Sequence, residues 1–263
     1  LRCFEDGDIT HVDGSVDPVR DAETIETELM LADMESLEKR VPALQKKARS
    51  NDKDAKITLE LIERTLEVLR EGQPARVVEV TGEDEEKAFR MLQLLTSKPI
   101  LYACNVDEDS AAEGNALSAK VAEMAAAQGA RSVVISAAIE SEVALLESAE
   151  DKKEFLEGLG LSETGLARVI REGYKLLNLL TFFTVGPKEA RAWTVYKGAT
   201  APNAAGVIHT DFERGFIKAE TIAYDDFIEF NGEAGARDNG KLRQEGKTYI
   251  VKDGDIFHFK FNV

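Results

Sequence analysis

The stretch that most constrains the fold of this chain is residues 99–108, PILYACNVDE. A short apolar run of strand type ends at Asn105, and a segment of helical character follows. In open α/β sheets, ligands bind just beyond the carboxyl ends of the strands. An Asn followed three residues later by an acid can present an amide and a carboxylate to the edge of a purine. We therefore predict an α/β nucleotide-binding domain with base-reading residues at this strand end.

A second strand of the same kind lies downstream. Arg131–Ile135 is rich in β-branched residues and is followed by a Ser-Ala-Ala sequence at 136–138, and an Ala-rich helix is predicted between the two strands at residues 117–128. A strand–helix–strand order gives parallel strands whose carboxyl ends open on the same edge. We therefore expect Asn105 and Ser136 to be neighbours.

The residues leave the identity of the purine open. A guanine reader places a carboxylate on N1–H and N2–H, an Asn amide near N7 and O6, and a Lys stem over the ring. Here Asn105 is present, Val106 stands in place of the Lys, and Glu108 occupies the acid position, while Asp107 comes one residue too early. The longer carboxylate and the missing Lys weaken the contact to guanine, so adenine fits at least as well. The alternative interpretation is an ordinary strand-end cap.

The phosphate-binding half of such a site has no counterpart in these residues. The sequence contains no Gly-x-x-x-x-Gly-Lys-Ser/Thr motif, which would hold phosphates and Mg²⁺. It also lacks zinc-ligand spacing and a Ser/His/Asp or Cys/His arrangement. By itself, His11 in the polar loop 5–21 is interpreted as solvated or structural, as are His209 and His258.

Composition narrows the classes of partner. With 33 Lys and Arg against 49 Asp and Glu, the formal charge is −16, which disfavours general binding to nucleic acid, although a local basic patch could still dock on RNA. No secretory signal opens the chain, and no apolar run approaches the about 18 residues of a membrane span. Cys3 and Cys104 lie in apolar strands and are predicted to be reduced and buried. We predict a cytoplasmic protein.

Two further modules are predicted. Apolar residues recur at helical spacing over residues 22–50 and 53–71, which indicates an antiparallel helical hairpin, and Pro42 should bend or interrupt its first helix. The hairpin is either a rigid arm or a docking arm for a large partner. From residue 179 onward the pattern is that of a compact β domain of four or five strands, with strands predicted at 179–185, 191–197, 216–221, 249–251 and 256–261.

Long runs of residues resemble those of the YchF/Obg-like ATPase family, which belongs to the translation-factor-related P-loop GTPases. The resemblance extends over the whole chain and is much more specific than any single motif. The similar runs are RCFE (2–5), HVDG (11–14), TEL (27–29), NVDE (105–108), RAWT (191–194), GATAP (198–202), IHTDFERGF (208–216), YIVKDGD (249–255) and FNV (261–263).

The resemblance implies an α/β fold in which a partial P-loop NTPase parallel sheet (1–21 and 72–178) carries an inserted antiparallel coiled-coil hairpin (22–71), followed by a C-terminal β-grasp TGS domain of ubiquitin-like type (179–263). It also implies binding and Mg²⁺-dependent hydrolysis of ATP, often with GTP accepted. The implied partner is the ribosome, either its large subunit or the whole particle, with neither DNA nor a membrane.

The resemblance also assigns roles to individual residues. Asn105, Val106 and Glu108 match the base-reading motif, with Val106 contributing backbone. The loop that supports the base is matched by Ser136, Ala137 and Ala138. His11 matches a loop histidine proposed to act on the attacking water, which reverses its interpretation as a structural residue.

The family's P-loop, its switches and its Mg²⁺ ligands have no counterpart in this sequence. We therefore expect the full-length protein to be an ATPase or GTPase, and this chain alone to be inactive. The alternative function is a non-catalytic ribosome- or protein-binding module that acts through the hairpin and the TGS domain.

Overall fold

The computed structural model describes residues 1–7 and 14–262, so His11 lies outside the described residues. The chain divides into two compact units, residues 1–172 and 173–263, which are described separately. The domain limits expected from the sequence remain a prediction. The helices that begin in the first unit are α1 (Pro18–Arg49), α2 (Lys53–Arg70), α3 (Gly82–Leu92), α4 (Ala116–Ala127), α5 (Ala137–Leu145), α6 (Ala149–Gly158) and α7 (Gly165–Leu176), the last of which continues into the second unit.

A small parallel sheet organises the first unit. Strands β1 (Leu101–Asn105) and β2 (Arg131–Ile135) pair in parallel, with Asn105 opposite Ile135. The first residues of the chain add to the other side of β1, because Asn105 N–H donates to the Leu1 carbonyl at 2.8 Å and Cys3 N–H donates to the Asn105 carbonyl at 2.7 Å. Helix α4 packs on both strands and provides the crossover that parallel pairing requires. The carboxyl ends of β1 and β2 therefore lie side by side.

Helices α1 and α2 are joined by residues 50–52 and pack against each other as a helical hairpin. Helix α1 begins earlier than expected, at Pro18, because the Asp17 carboxylate accepts hydrogen bonds from the N–H groups of Val19 and Arg20. The expected interruption at Pro42 is wrong, since α1 continues through it to Arg49. The hairpin and α3 share one apolar core, whose buried members are Leu37, Leu61, Ile62, Leu66, Leu69, Ala75, Leu92 and Leu94.

One buried carboxylate fastens the hairpin to the segment that leads into β1. Asp33 on α1 is only 3% exposed and accepts hydrogen bonds from the N–H groups of Leu95 and Thr96 at 2.8 Å each and from the Thr96 hydroxyl at 2.7 Å. The Thr96 hydroxyl in turn accepts the N–H of Ala75 at 3.0 Å. Removal of this carboxylate would leave several buried donors without an acceptor.

The second unit contains a five-stranded mixed sheet of order β4-β3-β7-β5-β6, in which only β3 and β7 are parallel. Its strands are β3 (Leu179–Val185), β4 (Ala190–Tyr196), β5 (Phe216–Ala223), β6 (Arg243–Glu245) and β7 (Asp255–Phe261). Its helices are α8 (Ala201–Ile208), α9 (Thr210–Arg214), α10 (Tyr224–Glu229) and α11 (Glu233–Asp238). A core that includes Phe182, Phe257 and the alanines of α8 holds the unit together.

Two sequence expectations for this unit need correction. The strand predicted at residues 249–251 is wrong, since only an isolated bridge between Ile250 and Thr200 is present. The sequence analysis also missed β6, a three-residue edge strand without an apolar pattern, which pairs with β5 opposite Ala219 to Thr221.

The first prediction concerns Asp33. We expect Asp33→Ala to lower the free energy of unfolding by about 3 kcal/mol, because buried donors lose a charged acceptor. Urea denaturation of the chain measures this loss. The control Glu60→Ala changes an exposed acid on α2, and its expected effect lies within about 0.5 kcal/mol. A loss below about 1 kcal/mol for Asp33→Ala would contradict the anchoring role.

Candidate functional site

The ends of β1 and β2 are joined by one side chain. Asn105, the last residue of β1, accepts a hydrogen bond at its Oδ1 from the backbone N–H of Ala137, with a distance of 2.9 Å. Ala137 is the first residue of α5, which directly follows β2 and Ser136. The expected proximity of Asn105 to the 136–138 segment is therefore present. With Oδ1 committed in this way, the Asn105 amide nitrogen remains a donor.

Ser136 has a different role from that of a usual helix cap. It occupies the N-cap position of α5, yet its side chain makes no capping hydrogen bond. Its hydroxyl is buried and has no hydrogen-bond partner among the described residues. Asn105 instead supplies an acceptor to α5 from the neighbouring strand. Ala137 and Ala138 are exposed, so the first turn of α5 faces solvent beside Asn105.

Both the side chain and the backbone N–H of Val106 are committed to the fold, which the sequence did not indicate. Its side chain is only 2% exposed and belongs to the core around Cys3 and Cys104. Its N–H donates to the Ile135 carbonyl at 2.9 Å, which continues the pairing of β1 with β2. The backbone donor of Val106 is therefore committed to the sheet, and only its carbonyl could contribute to a ligand site.

The two acids after Val106 differ in their surroundings. Asp107 accepts the N–H of Ser110 at 2.9 Å and so stabilises the turn that leaves the sheet. The Glu108 side chain is exposed and has no hydrogen-bond or ion-pair partner among the residues that the structure describes. This difference agrees with the spacing argument that Asp107 comes one residue too early. At this strand end, Asn105 carries an available amide donor, and Glu108 carries the available carboxylate nearest to it in sequence, followed by the exposed Asp109.

Residues that the sequence analysis missed connect the surrounding helices. Glu140 on α5 accepts the N–H groups of Gly165 and Leu166, at 2.6 Å and 3.1 Å, and so caps the start of α7. Arg168 on α7 donates to the Ala111 carbonyl in the loop after β1, at 3.0 Å. These contacts form between segments far apart in the chain, so no local spacing reveals them.

Asn115 and the two cysteines hold the first residues of the chain against β1. The Asn115 amide donates to the Cys3 carbonyl at 2.7 Å, while its oxygen caps α4. The Asn-x-x-Ser capping pattern at 115–118 is a local signal that could have identified this residue. Cys3 and Cys104 are free and buried, as predicted. The hydrogen bond with Cys104, together with burial, raises the pKa of the Cys3 thiol.

The described residues set limits on other site chemistry. Within residues 1–7 and 14–262, no group of three or more His, Cys, Asp or Glu residues could hold a metal ion. In the same part of the chain, no helix is long and apolar enough to cross a membrane. The catalytic role predicted for His11 falls outside these residues.

Curated relatives match this chain over its whole length. The ribosome-binding ATPase YchF of Haemophilus ducreyi is 56% identical over 263 residues, which are 100% of this chain and 72% of that protein. The chain belongs to the YchF family. The ribosome-binding ATPase YchF of Bacillus subtilis is 52% identical over 265 residues, with the same coverage. The family model YchF-GTPase_C, described as a protein of unknown function (DUF933), matches residues 179–262.

Solved structures agree with this membership in the YchF family. The YchF GTPase of Schizosaccharomyces pombe superimposes with a TM-score of 0.78 at 34% identity, covering 99% of this chain and 70% of that chain. A GTP binding protein from Pyrococcus horikoshii gives a TM-score of 0.58 at 20% identity over 96% of this chain and 75% of its own, which supports the fold alone. An α/β fold with mixed sheets is thus common to this chain and these structures.

The second prediction tests whether the Asn105 side chain stabilises the start of α5. Asn105→Ala removes the acceptor for the Ala137 N–H, and we expect a loss of about 1 kcal/mol in the free energy of unfolding. Asn105→Asp keeps an acceptor there and places a negative charge at the start of α5, so the expected loss is less than about 0.5 kcal/mol. Urea denaturation measures both, and equal destabilisation would contradict the capping role.

Proposed function

We propose that this chain provides the base-recognition half of an ATP site in a ribosome-associated NTPase that also accepts GTP. The observation that supports this proposal most directly is the hydrogen bond between Asn105 Oδ1 and the Ala137 N–H. It fixes an amide at the carboxyl end of a parallel strand, where α/β proteins bind ligands. Membership in a family whose members are named ribosome-binding ATPases supports the hydrolytic activity and the ribosome as partner.

In the proposed site, Asn105 and Glu108 contact the edge of the purine. The Asn105 amide nitrogen can donate to adenine N7, while the second lone pair of its oxygen can accept from N6–H. The exposed Glu108 carboxylate can accept a further N–H of the base. The start of α5, with Ala137 and Ala138, borders the same edge, and we assign the buried Ser136 directly before it to the same base-supporting loop. Val106 contributes its carbonyl at most.

The remaining parts of the proposed function follow from the family. We assign residues 1–21 and 72–178 to the nucleotide-binding domain, 22–71 to a coiled-coil hairpin and 179–263 to a β-grasp TGS domain. The five-stranded mixed sheet packed on α8 supports the last assignment. Mg²⁺ would neutralise phosphate charge during hydrolysis, and we place its ligands in a phosphate-binding segment without a match in these 263 residues. Ribosome association favours a cytoplasmic location.

The third prediction tests the role of Glu108 in reading the base. We expect Glu108→Ala to weaken ATP binding by about tenfold, because a charged acceptor is lost, whereas Glu108→Asp should move the preference towards GTP. Titration with ATP and with GTP, followed through the amide resonance of Ala137, detects even weak binding. Asp109→Ala changes a neighbouring exposed acid and serves as the control. An unchanged ATP/GTP ratio in Glu108→Asp would contradict the assignment.

The fourth prediction concerns His11, which we propose as the catalytic residue that orients or deprotonates the attacking water. In the full-length protein, His11→Ala should lower kcat by about 10²-fold or more while nucleotide affinity stays near that of the unmodified protein. Steady-state release of phosphate gives kcat. His258→Ala, at an exposed position of β7, is the matched control. Unchanged turnover in His11→Ala would remove this residue from the mechanism.

A further inference from the structure

The free end of the helical hairpin has a charge opposite to that of the whole chain. Residues 39–56 contain seven Lys or Arg residues and two Asp residues, a net charge of +5, whereas the chain carries −16. Five of these cations lie within one or two helical turns of the connection at residues 50–52. We name them the basic tip; its members are Lys46, Lys47, Arg49, Lys53 and Lys56.

All five side chains of the basic tip are exposed. Lys53 forms an ion pair with Asp84 at 3.2 Å, and Lys56 donates to the Asn51 side chain at 2.6 Å. The side chains of Lys46, Lys47 and Arg49 have no hydrogen-bond or ion-pair partner among the described residues. Three cations at the end of α1 are therefore available to an external anion.

Helix stabilisation explains only part of this pattern. Cations in the last turn of α1 interact favourably with the helix dipole, by about 0.3–1 kcal/mol each. The same dipole disfavours cations in the first turn of α2, where Lys53 and Lys56 lie. The helix dipole therefore does not explain basic residues on both sides of the connection, whereas an external negative partner does.

The surroundings of the basic tip favour a phosphate backbone over a protein surface. Protein interfaces rely on aromatic or large apolar anchors at their centres. No large apolar side chain is exposed in the sequence between Leu31 on α1 and Val77, which follows the hairpin, and the exposed Met91 of α3 lies beside Ile57 of α2 rather than beside the three cations at the end of α1. The last fully buried residue of α1 is Leu37, so Arg49 lies about 18 Å further along the helix. The end of the hairpin is polar, basic and well separated from the fully buried part of α1.

We propose that the basic tip contacts the phosphate backbone of structured RNA. This inference rests on the proposed ribosome association and specifies which surface makes the RNA contact. The acidic remainder of the chain repels the same polyanion, so the approach is restricted to the hairpin end, and the hairpin is thereby oriented towards the RNA. Contacts of this kind position the protein without reading base sequence.

The test compares two triple variants of the chain with equal net charge. The tip variant is Lys46→Gln/Lys47→Gln/Arg49→Gln, and the control is Lys98→Gln/Lys120→Gln/Lys153→Gln, which changes exposed lysines elsewhere in the first unit. Co-sedimentation with purified ribosomes and binding to protein-free ribosomal RNA are measured over a series of salt concentrations. Circular dichroism checks that α1 and α2 are retained.

For the tip variant, we expect affinity for ribosomes and for free ribosomal RNA to fall by about tenfold or more near physiological salt, and the dependence of log K on log salt to become shallower by about two units. The control variant should behave like the unmodified chain. Equal losses in both variants, or none in the tip variant, would overturn the inference. Loss of ribosome binding with unchanged RNA binding would also overturn it, in favour of an acidic protein partner. If the unmodified chain does not bind ribosomes, the proposed function fails instead.

Discussion

The hydrogen bond from the Ala137 N–H to Asn105 Oδ1 ties the end of β1 to the start of α5, beside the backbone pairing of β1 with β2. It is the first of several contacts that lead from the end of β1, through α5 and α7, back to the loop that follows β1. Helix α5, held by Asn105, carries Glu140, which caps α7, and Arg168 of α7 binds the Ala111 carbonyl in the loop that follows Asn105. Each member thus restrains the next, so the loop between β1 and α4 is held at Asn105 and at Ala111.

The regular elements were largely predictable from the sequence because their patterns are local. The β-branched run of β2 has the bounds that the sequence predicts, and the long periodic stripe of α2 ends within one residue of its predicted end. Elements without a local pattern were missed or mistaken. The three residues of β6 pair only because β5 offers them an edge, and the residues around Ile250 have strand-like composition but find only one bridging partner.

The sequence predicted which residues of the candidate site lie close together. It did not predict which hydrogen bonds their atoms make. Strand order and spacing brought Asn105 and the 136–138 segment together. They could not show that the Asn105 oxygen is already bound, that the Val106 N–H belongs to the sheet, or that Ser136 leaves the capping to another residue. These facts depend on distances between side chains and backbone groups of separate elements. A local sequence pattern does not contain such distances.

Charge at the strand end restricts how a nucleotide could lie there. Residues 107–109 are three consecutive acids, of which only Asp107 has its carboxylate committed to a local turn. A phosphate group close to these carboxylates would be repelled, whereas the N–H groups of a purine would be attracted. In the proposed site, the base would therefore face Asn105 and Glu108, and the phosphates would point away from the 107–109 loop. This polarity agrees with a divided site in which one segment reads the base and another binds the phosphates.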